Sequence, residues 1–187
     1  MSSKKRTIFD PNEFIIEGNI CWVILYNRKC IEVARAKFYT IYYETIKNSN
    51  LKWHLRRDGY VEAVWYDKNN KQQHTVLHET IIQLSGQEVP IGYEIDHKNG
   101  DKLNCLDDNL RICTYAQNQH NVQIRNSNTS GFKGVSWHKA SKRWIAEIMN
   151  NRKKIYLGIF SIKEDAARAY NAAAIKYHGE FAQLNSV

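Results

Sequence analysis

Glu94-Ile95-Asp96-His97-Lys98-Asn99-Gly100-Asp101 is the stretch whose reading decides the fold. Tyr93 to His97 reads as a short strand, and the Gly-containing loop from Lys98 to Asn104 ends it. Leu110-Arg111-Ile112-Cys113 reads as the returning strand. Thr114-Tyr115-Ala116-Gln117 then matches a capping box, with Thr at the N-cap and Gln three positions on, so a helix is expected from Tyr115 to about Val122.

The polar residues on this frame suit phosphodiester hydrolysis, which needs a base for the attacking water, charge stabilisation at phosphorus and help for the departing 3′ oxygen. His97, with an ordinary imidazole pKa near ~6.5, is suited to be the base at neutral pH. Asp96 and Asn118 offer the hard oxygen donors that Mg-type ions prefer. Neighbouring side chains on a strand point to opposite faces, so Asp96 and His97 can serve one site only if the strand ends there. The loop at Lys98-Asn99-Gly100 provides that ending. On the helix, Asn118 and Asn121 share a face while His120 turns away, which ranks Asn118 first, Asn121 second and His120 as an outside candidate.

Charge narrows the partner. The chain carries 27 Lys and Arg against 19 Asp and Glu, a net charge of +8. Residues 129–187 hold most of the excess, with ten basic and four acidic side chains. Such a basic region fits a polyanion, because phosphates release counterions as Lys and Arg approach. The longest apolar run, Ile20 to Tyr26, is far short of the roughly 20 residues that span a bilayer. Behind Met1-Ser2-Ser3-Lys4-Lys5-Arg6 there is no apolar segment of the kind a secretory signal uses, so no membrane partner and an intracellular, cytoplasmic location are expected. Cys21, Cys30, Cys105 and Cys113 lack zinc-type spacing and are expected to be free, buried side chains.

Outward from the centre, residues 1–12 read as a loose arm ending at Asp10-Pro11. Ile20 to Tyr26, Lys29 to Ala36 and Tyr60 to Tyr66 read as strands, with turns at Asp58-Gly59 and Asp67 to Lys71, while Phe38 to Ile46 could be helical. His78 sits in an apolar segment that could begin a helix leading to the Gly86 turn, and a lone His there reads as a packed core residue. Residues 122–130 are small and polar, hence a linker. Beyond it, Phe132 to His138, Arg143 to Met149 and Lys153 to Phe160 read as three strands. Ser161 to Glu164 reads as a capping box for an Ala-rich helix stopped by Gly179, with Ala166, Ala169, Ala173 and Tyr177 on one face. Strand alternation turns Trp144, Ala146 and Ile148 toward that helix and Ile145, Glu147 and Met149 away.

Two resemblances extend these readings. Asp96-His97, Asn109-Leu110-Arg111 thirteen positions after Asp96 and Asn118 twenty-two after it resemble the HNH homing endonucleases with the ββα-metal fold, over about residues 74–121. The resemblance implies His97 as general base, Asn109 as the brace of the loop, and Asp96 and Asn118 as ligands of one divalent metal, Mg or Mn. This chain departs from the family in reading His78-Glu79 where His-Arg is common, and Asn104-Cys105 where a second Asn is common. Gly131 to His138, Arg143 to Ile148, Tyr156 to Phe160 and Ala166 to Tyr170 resemble the APETALA-type (ethylene-response-factor) DNA-binding domain. That family lays a three-stranded sheet into the major groove, which implies DNA contacts by Lys133, Ser136, His138, Glu147, Met149, Lys154 and Tyr156. Lys133, Lys142, Arg143, Lys153 and Lys154 would grip phosphate and position the protein without reading sequence. Trp137 and Trp144 read as core.

Together the expectation is an α+β chain: a β-rich region over 1–73, an HNH nuclease domain over 74–121, a linker over 122–130, and over 131–187 a three-stranded antiparallel sheet packed on one helix. The expected function is a sequence-directed, metal-dependent endonuclease on double-stranded DNA; a monomer should nick one strand per site, and a dimer or a second binding event would be needed for double-strand cleavage. A non-catalytic, regulator-like DNA-binding protein is the competing reading, and RNA binding through exposed aromatics is a third.

Overall fold

Ile20–Tyr26, the longest apolar run, forms strand β2, flanked in an antiparallel meander by β1 (Phe14–Glu17) and β3 (Glu32–Tyr39). The computed structural model describes residues 6–124 and 128–187. Residues 1–5 of the expected arm and 125–127 of the expected linker lie outside the described residues. Two compact units result, Met1–Ile112 and Cys113–Val187.

In the first unit β3 starts later than its apolar composition suggests. The Asn27 carboxamide accepts from the backbone N–H groups of Lys29 and Ile31, and Cys30 takes a positive φ of 60°, so residues 27–31 are a tight turn. After β3 the chain makes one turn of 3-10 helix at Thr40–Tyr42 and then α1 (Tyr43–Asn48), as the Phe38 to Ile46 pattern allowed. A second antiparallel sheet follows, β4 (Trp53–Leu55), β5 (Val61–Tyr66) and β6 (Gln72–Val76). Turns at Gly59 and Asn70 join its strands, each closed by a bond from its N–H to the carbonyl three residues back. The two sheets are tied by Asn12, which is buried. Its amide donates to the carbonyls of Ile24 (2.8 Å) and Trp53 (2.9 Å) and accepts from the Trp53 N–H (2.7 Å).

One core runs through this unit. Phe38, Trp53, Leu77, Ile81, Ile95, Cys105 and Leu110 belong to the same buried cluster, so apolar side chains of α2 (Leu77–Leu84), of β7 (Tyr93–His97) and of the start of β8 (Leu110–Thr114) pack with those of the two sheets. Each fully buried Leu or Ile contributes about 2 kcal/mol relative to exposure. The loop after β7 is also sewn to β3: Lys37 donates to the Leu103 carbonyl (2.8 Å) and accepts from the Cys105 N–H (2.9 Å).

In the second unit α3 (Tyr115–Asn121) begins with the expected capping box, both reciprocal bonds of Thr114 and Gln117 being present. Then come β9 (Val135–His138), β10 (Arg143–Asn150) and β11 (Lys153–Phe160), an antiparallel sheet in the order β11-β10-β9, covered by α4 (Lys163–His178). Ala146 and Ile148 are buried, Trp144 packs against the same cluster, and Met149 lies on the exposed face, so the alternation holds along β10. The buried stripe of α4 is wider than four positions: Ala167, Tyr170 and Ala174 join Ala166 and Ala173. The expected capping box at its start is absent. The N-cap is Ile162 in extended conformation, which leaves Ser161 one residue outside the helix, and Glu164 and Asp165 instead complement the dipole of the first turn. Gly179 ends the helix at φ 56°, as its position foretold. Small residues let sheet and helix approach closely. A Cβ on Gly134 would stand 2.1 Å from the Tyr170 ring and 2.5 Å from the Glu147 carbonyl oxygen.

Among the described residues no helix is long and apolar enough to cross a membrane. All four cysteines are free, and Cys21, Cys105 and Cys113 are buried.

Candidate active site and nucleic-acid interface

Strand β7 delivers Asp96 and His97 to its own end, because the loop folds back immediately: Gly100 N–H donates to the His97 carbonyl (2.7 Å) and Lys98 N–H to the Asn109 carbonyl (2.8 Å). Asn109, itself buried, laces the loop with its side chain. Its amide donates to the Asn104 carbonyl (2.8 Å), and its side-chain oxygen accepts from the Asn99 N–H (3.1 Å).

His97 is only 3 % exposed. Its Nε2 lies 3.9 Å from the Cys105 thiol. Burial, only partly opposed by the nearby Asp96 carboxylate, pushes the imidazole down to about 4, so the ring is neutral at physiological pH. The Cys105 thiol is pushed well up by burial and stays protonated. His78 is a core residue, as its apolar surroundings suggested, yet it lies against His97, with ring centroids 5.1 Å apart at 74°. Burial and the neighbouring His97 push His78 down to about 3.

Asp96, 6 % exposed, accepts two hydrogen bonds from Arg111, from Nε at 2.9 Å and Nη2 at 2.7 Å, both on Oδ2. The pair is buried, and it gives Arg111 a role that the sequence reading left unassigned. Asn118 is half-buried on α3, in the second unit, and Asn121, three residues on, is buried. His120 is stacked on His178 at 3.6 Å between centroids and 7° between planes. A carboxylate and a carboxamide are hard oxygen donors, so the side chains of Asp96 and Asn118 are each of a chemistry that suits a Mg-type ion. Among the described residues no three His, Cys, Asp or Glu side chains form a cation cage.

The sheet of the second unit presents a different surface. Ser136, His138, Lys142, Arg143, Lys153 and Lys154 are exposed, as are Met149 and, at 58 %, Tyr156. Glu147 is half-buried and pairs with Lys154 at 3.0 Å. His138 Nδ1 and the Ser141 hydroxyl are 2.7 Å apart. Lys133 lies elsewhere: its ammonium donates to the carbonyls of His120 (2.6 Å) and Val122 (2.7 Å) beyond the last turn of α3, and burial pushes it down to about 8. Of the two tryptophans expected in the core, Trp144 packs there, whereas Trp137 stands 45 % exposed against its edge.

A buried imidazole beside a fixed carboxylate on a strand-loop-strand frame, with a basic three-stranded sheet farther on, defines the class of an HNH nuclease joined to a DNA-binding domain. The comparisons agree. A family described as HNH endonuclease matches residues 76–120, and one described as AP2 domain matches residues 130–180. The chain is 33 % identical over 107 residues to Protein 3.8 of Escherichia phage T7, covering 57 % of this chain and 88 % of that one. It is 31 % identical over 139 residues to an uncharacterised HNH endonuclease of Acanthamoeba polyphaga mimivirus, covering 74 % of this chain and 69 % of the relative. An AP2-like ethylene-responsive transcription factor of Arabidopsis thaliana matches 61 residues at 39 % identity, 33 % of this chain and 13 % of the factor. The chain belongs to the HNH endonuclease family, and it carries an AP2 domain.

Proposed function

We propose that this protein is a homing-type DNA endonuclease that requires a divalent metal and nicks one strand per active site, its AP2 sheet supplying address and affinity. The observation that carries the reading is the lacing of the β7 loop by Asn109, which holds the Asp96-His97 pair at the strand end. His97 accepts the proton of the attacking water. Burial keeps the ring neutral and so able to accept that proton. Asp96 and Asn118 would hold the metal, Mg or Mn, which when bound supplies charge stabilisation at phosphorus. Arg111 fixes the Asp96 carboxylate and balances its charge. On the AP2 face, Lys142, Arg143, Lys153 and Lys154 would bind phosphates and Ser136, His138, Glu147, Met149 and Tyr156 would meet bases, a reading supported by the exposure of all but Glu147. Lys133 supports that face from within, through α3.

The test is incubation of the purified protein with supercoiled plasmid and Mg or Mn. Open circles are expected, together with a loss of turnover on the order of 100-fold or more for His97→Ala and undiminished plasmid binding. Binding without nicking by the wild-type protein favours the regulator-like reading instead.

A further inference from the structure

The strongest unexplained feature lies where the N-terminal sheet meets the nuclease motif. Tyr60, at the exit of the β4-β5 turn, has its ring centroid 5.1 Å from His78 and 6.0 Å from His97. With the 5.1 Å contact between His78 and His97, the three rings form a closed triangle, each pair within the range of favourable aromatic contact. The turn bearing Tyr60 is locked to the active-site loop by Lys102. That side chain donates to the Asp58 carbonyl (2.9 Å) and lies 4.2 Å over the Tyr60 ring. Arg56 covers the same ring from 5.4 Å and is itself held by Asp58 through two bonds of 2.8 and 2.7 Å. A chain segment some forty positions away from His97 is therefore built into its wall.

An imidazole has a broad, nearly two-fold torsion about its last side-chain bond, so a loosely packed ring flips and puts carbons where its nitrogens were. We propose that Tyr60, acting through His78, is a positioning residue that holds the His97 ring in the single orientation able to accept a proton, and that this is the role of the N-terminal sheet in catalysis. The inference rests on the assignment of His97 as general base. Tyr60 touches neither water nor phosphate in this role. Its removal leaves a void beside His97 that lets the ring turn, and an ångström of misplacement in a catalytic group costs on the order of 10 to 100-fold in rate.

The experiment compares Tyr60→Ala, Tyr60→Leu and Tyr60→Phe in the full chain with His97→Ala as reference. Plasmid nicking is followed at varied DNA concentration, and the His97 imidazole by long-range nitrogen-proton NMR. The expected result is a kcat lowered about tenfold or more in Tyr60→Leu and Tyr60→Ala with KM unchanged, an exchange-broadened His97 resonance in both, and rescue of both readouts by Tyr60→Phe. Tyr60→Leu keeps an apolar side chain of comparable bulk, so it decides the matter if Tyr60→Ala unfolds. Normal kcat in Tyr60→Leu, or a lowered kcat with an unchanged His97 resonance, overturns the proposal. If the wild-type protein does not nick at all, the endonuclease reading fails, and the His97 spectra still decide whether Tyr60 holds the ring.

Discussion

The nuclease centre and the AP2 sheet handle the same polymer with opposite architectures. In the first, His97, Asp96 and Asn109 are buried, and their partners Tyr60, His78, Cys105 and Arg111 come from four other places in the chain. In the second, the residues assigned to DNA lie on the strands and turns of a three-stranded sheet, and all but the half-buried Glu147 are exposed. Reaction requires groups held in a fixed orientation, whereas docking requires a displayed surface. The first is therefore sensitive to distant neighbours and the second to local charge.

Removing a buried partner should separate the two regions most sharply. Arg111→Leu leaves the Asp96 carboxylate buried without its guanidinium and is expected to lower stability by about 4 kcal/mol, read from the denaturant midpoint. A loss below about 1 kcal/mol would show that water reaches Asp96 and that the centre is not dry. Next comes Gly134→Ala, where the added methyl meets the Tyr170 ring and the Glu147 backbone at a φ of +72°, a clash that no rotamer relieves. A loss of about 3 kcal/mol is expected, with DNA affinity falling as sheet and helix part. Retained gel-shift affinity in this variant would mean that the displayed face does not depend on the packing behind it.

Smaller effects test the display itself. Arg143→Ala and Lys153→Ala should each reduce the slope of log affinity against log salt by about 1 and weaken all DNA sequences alike. A change confined to one sequence would make either residue a reader of bases. The smallest change belongs to the exposed Arg56-Asp58 pair, the surface counterpart of Arg111-Asp96. Hydrogen bonding from Arg56 holds the Asp58 carboxyl down at about 2, so its contribution is present above about pH 4 and fades as pH falls toward 2. Asp58→Asn should therefore cost at most about 0.5 kcal/mol at pH 7, and less still at pH 2, in matched urea titrations.

The same contrast explains what could be read from the residues alone. Strand β2, the Thr114 to Gln117 capping box and all three strands of the AP2 sheet follow from local patterns, as does the pairing of Asp96-His97 with a loop that ends the strand. The fold class and the family were therefore legible. Tyr60 and the contact between His78 and His97 were not, because a packed ring in an apolar segment looks the same whether it faces a core or a catalytic group. The contacts of Lys133 were not legible for a similar reason: a lysine beside a predicted DNA-facing strand has a reach of several ångströms, and only the fold shows its ammonium donating to the carbonyls beyond the end of α3. The start of α4 shows the limit of motif matching, since Ser161 has the right spacing to Glu164 but the chain enters the helix one residue later.

The pairing of β10 with β11 slips between Ala146 and Glu147, so that Ala146 lies opposite Gly158 while Glu147 lies opposite Tyr156 and Leu157 is the additional residue. That slip lets Ile155 and Leu157 on one side of it and Phe160 on the other all reach the core, although strict alternation forbids it. Any substitution series along β11 must count positions from the slip outward. Excising Leu157 would turn the bulge into a regular ladder in which Tyr156 still opposes Glu147 and Lys154 still opposes Met149, so the outer face would keep its residues while the core lost one apolar side chain.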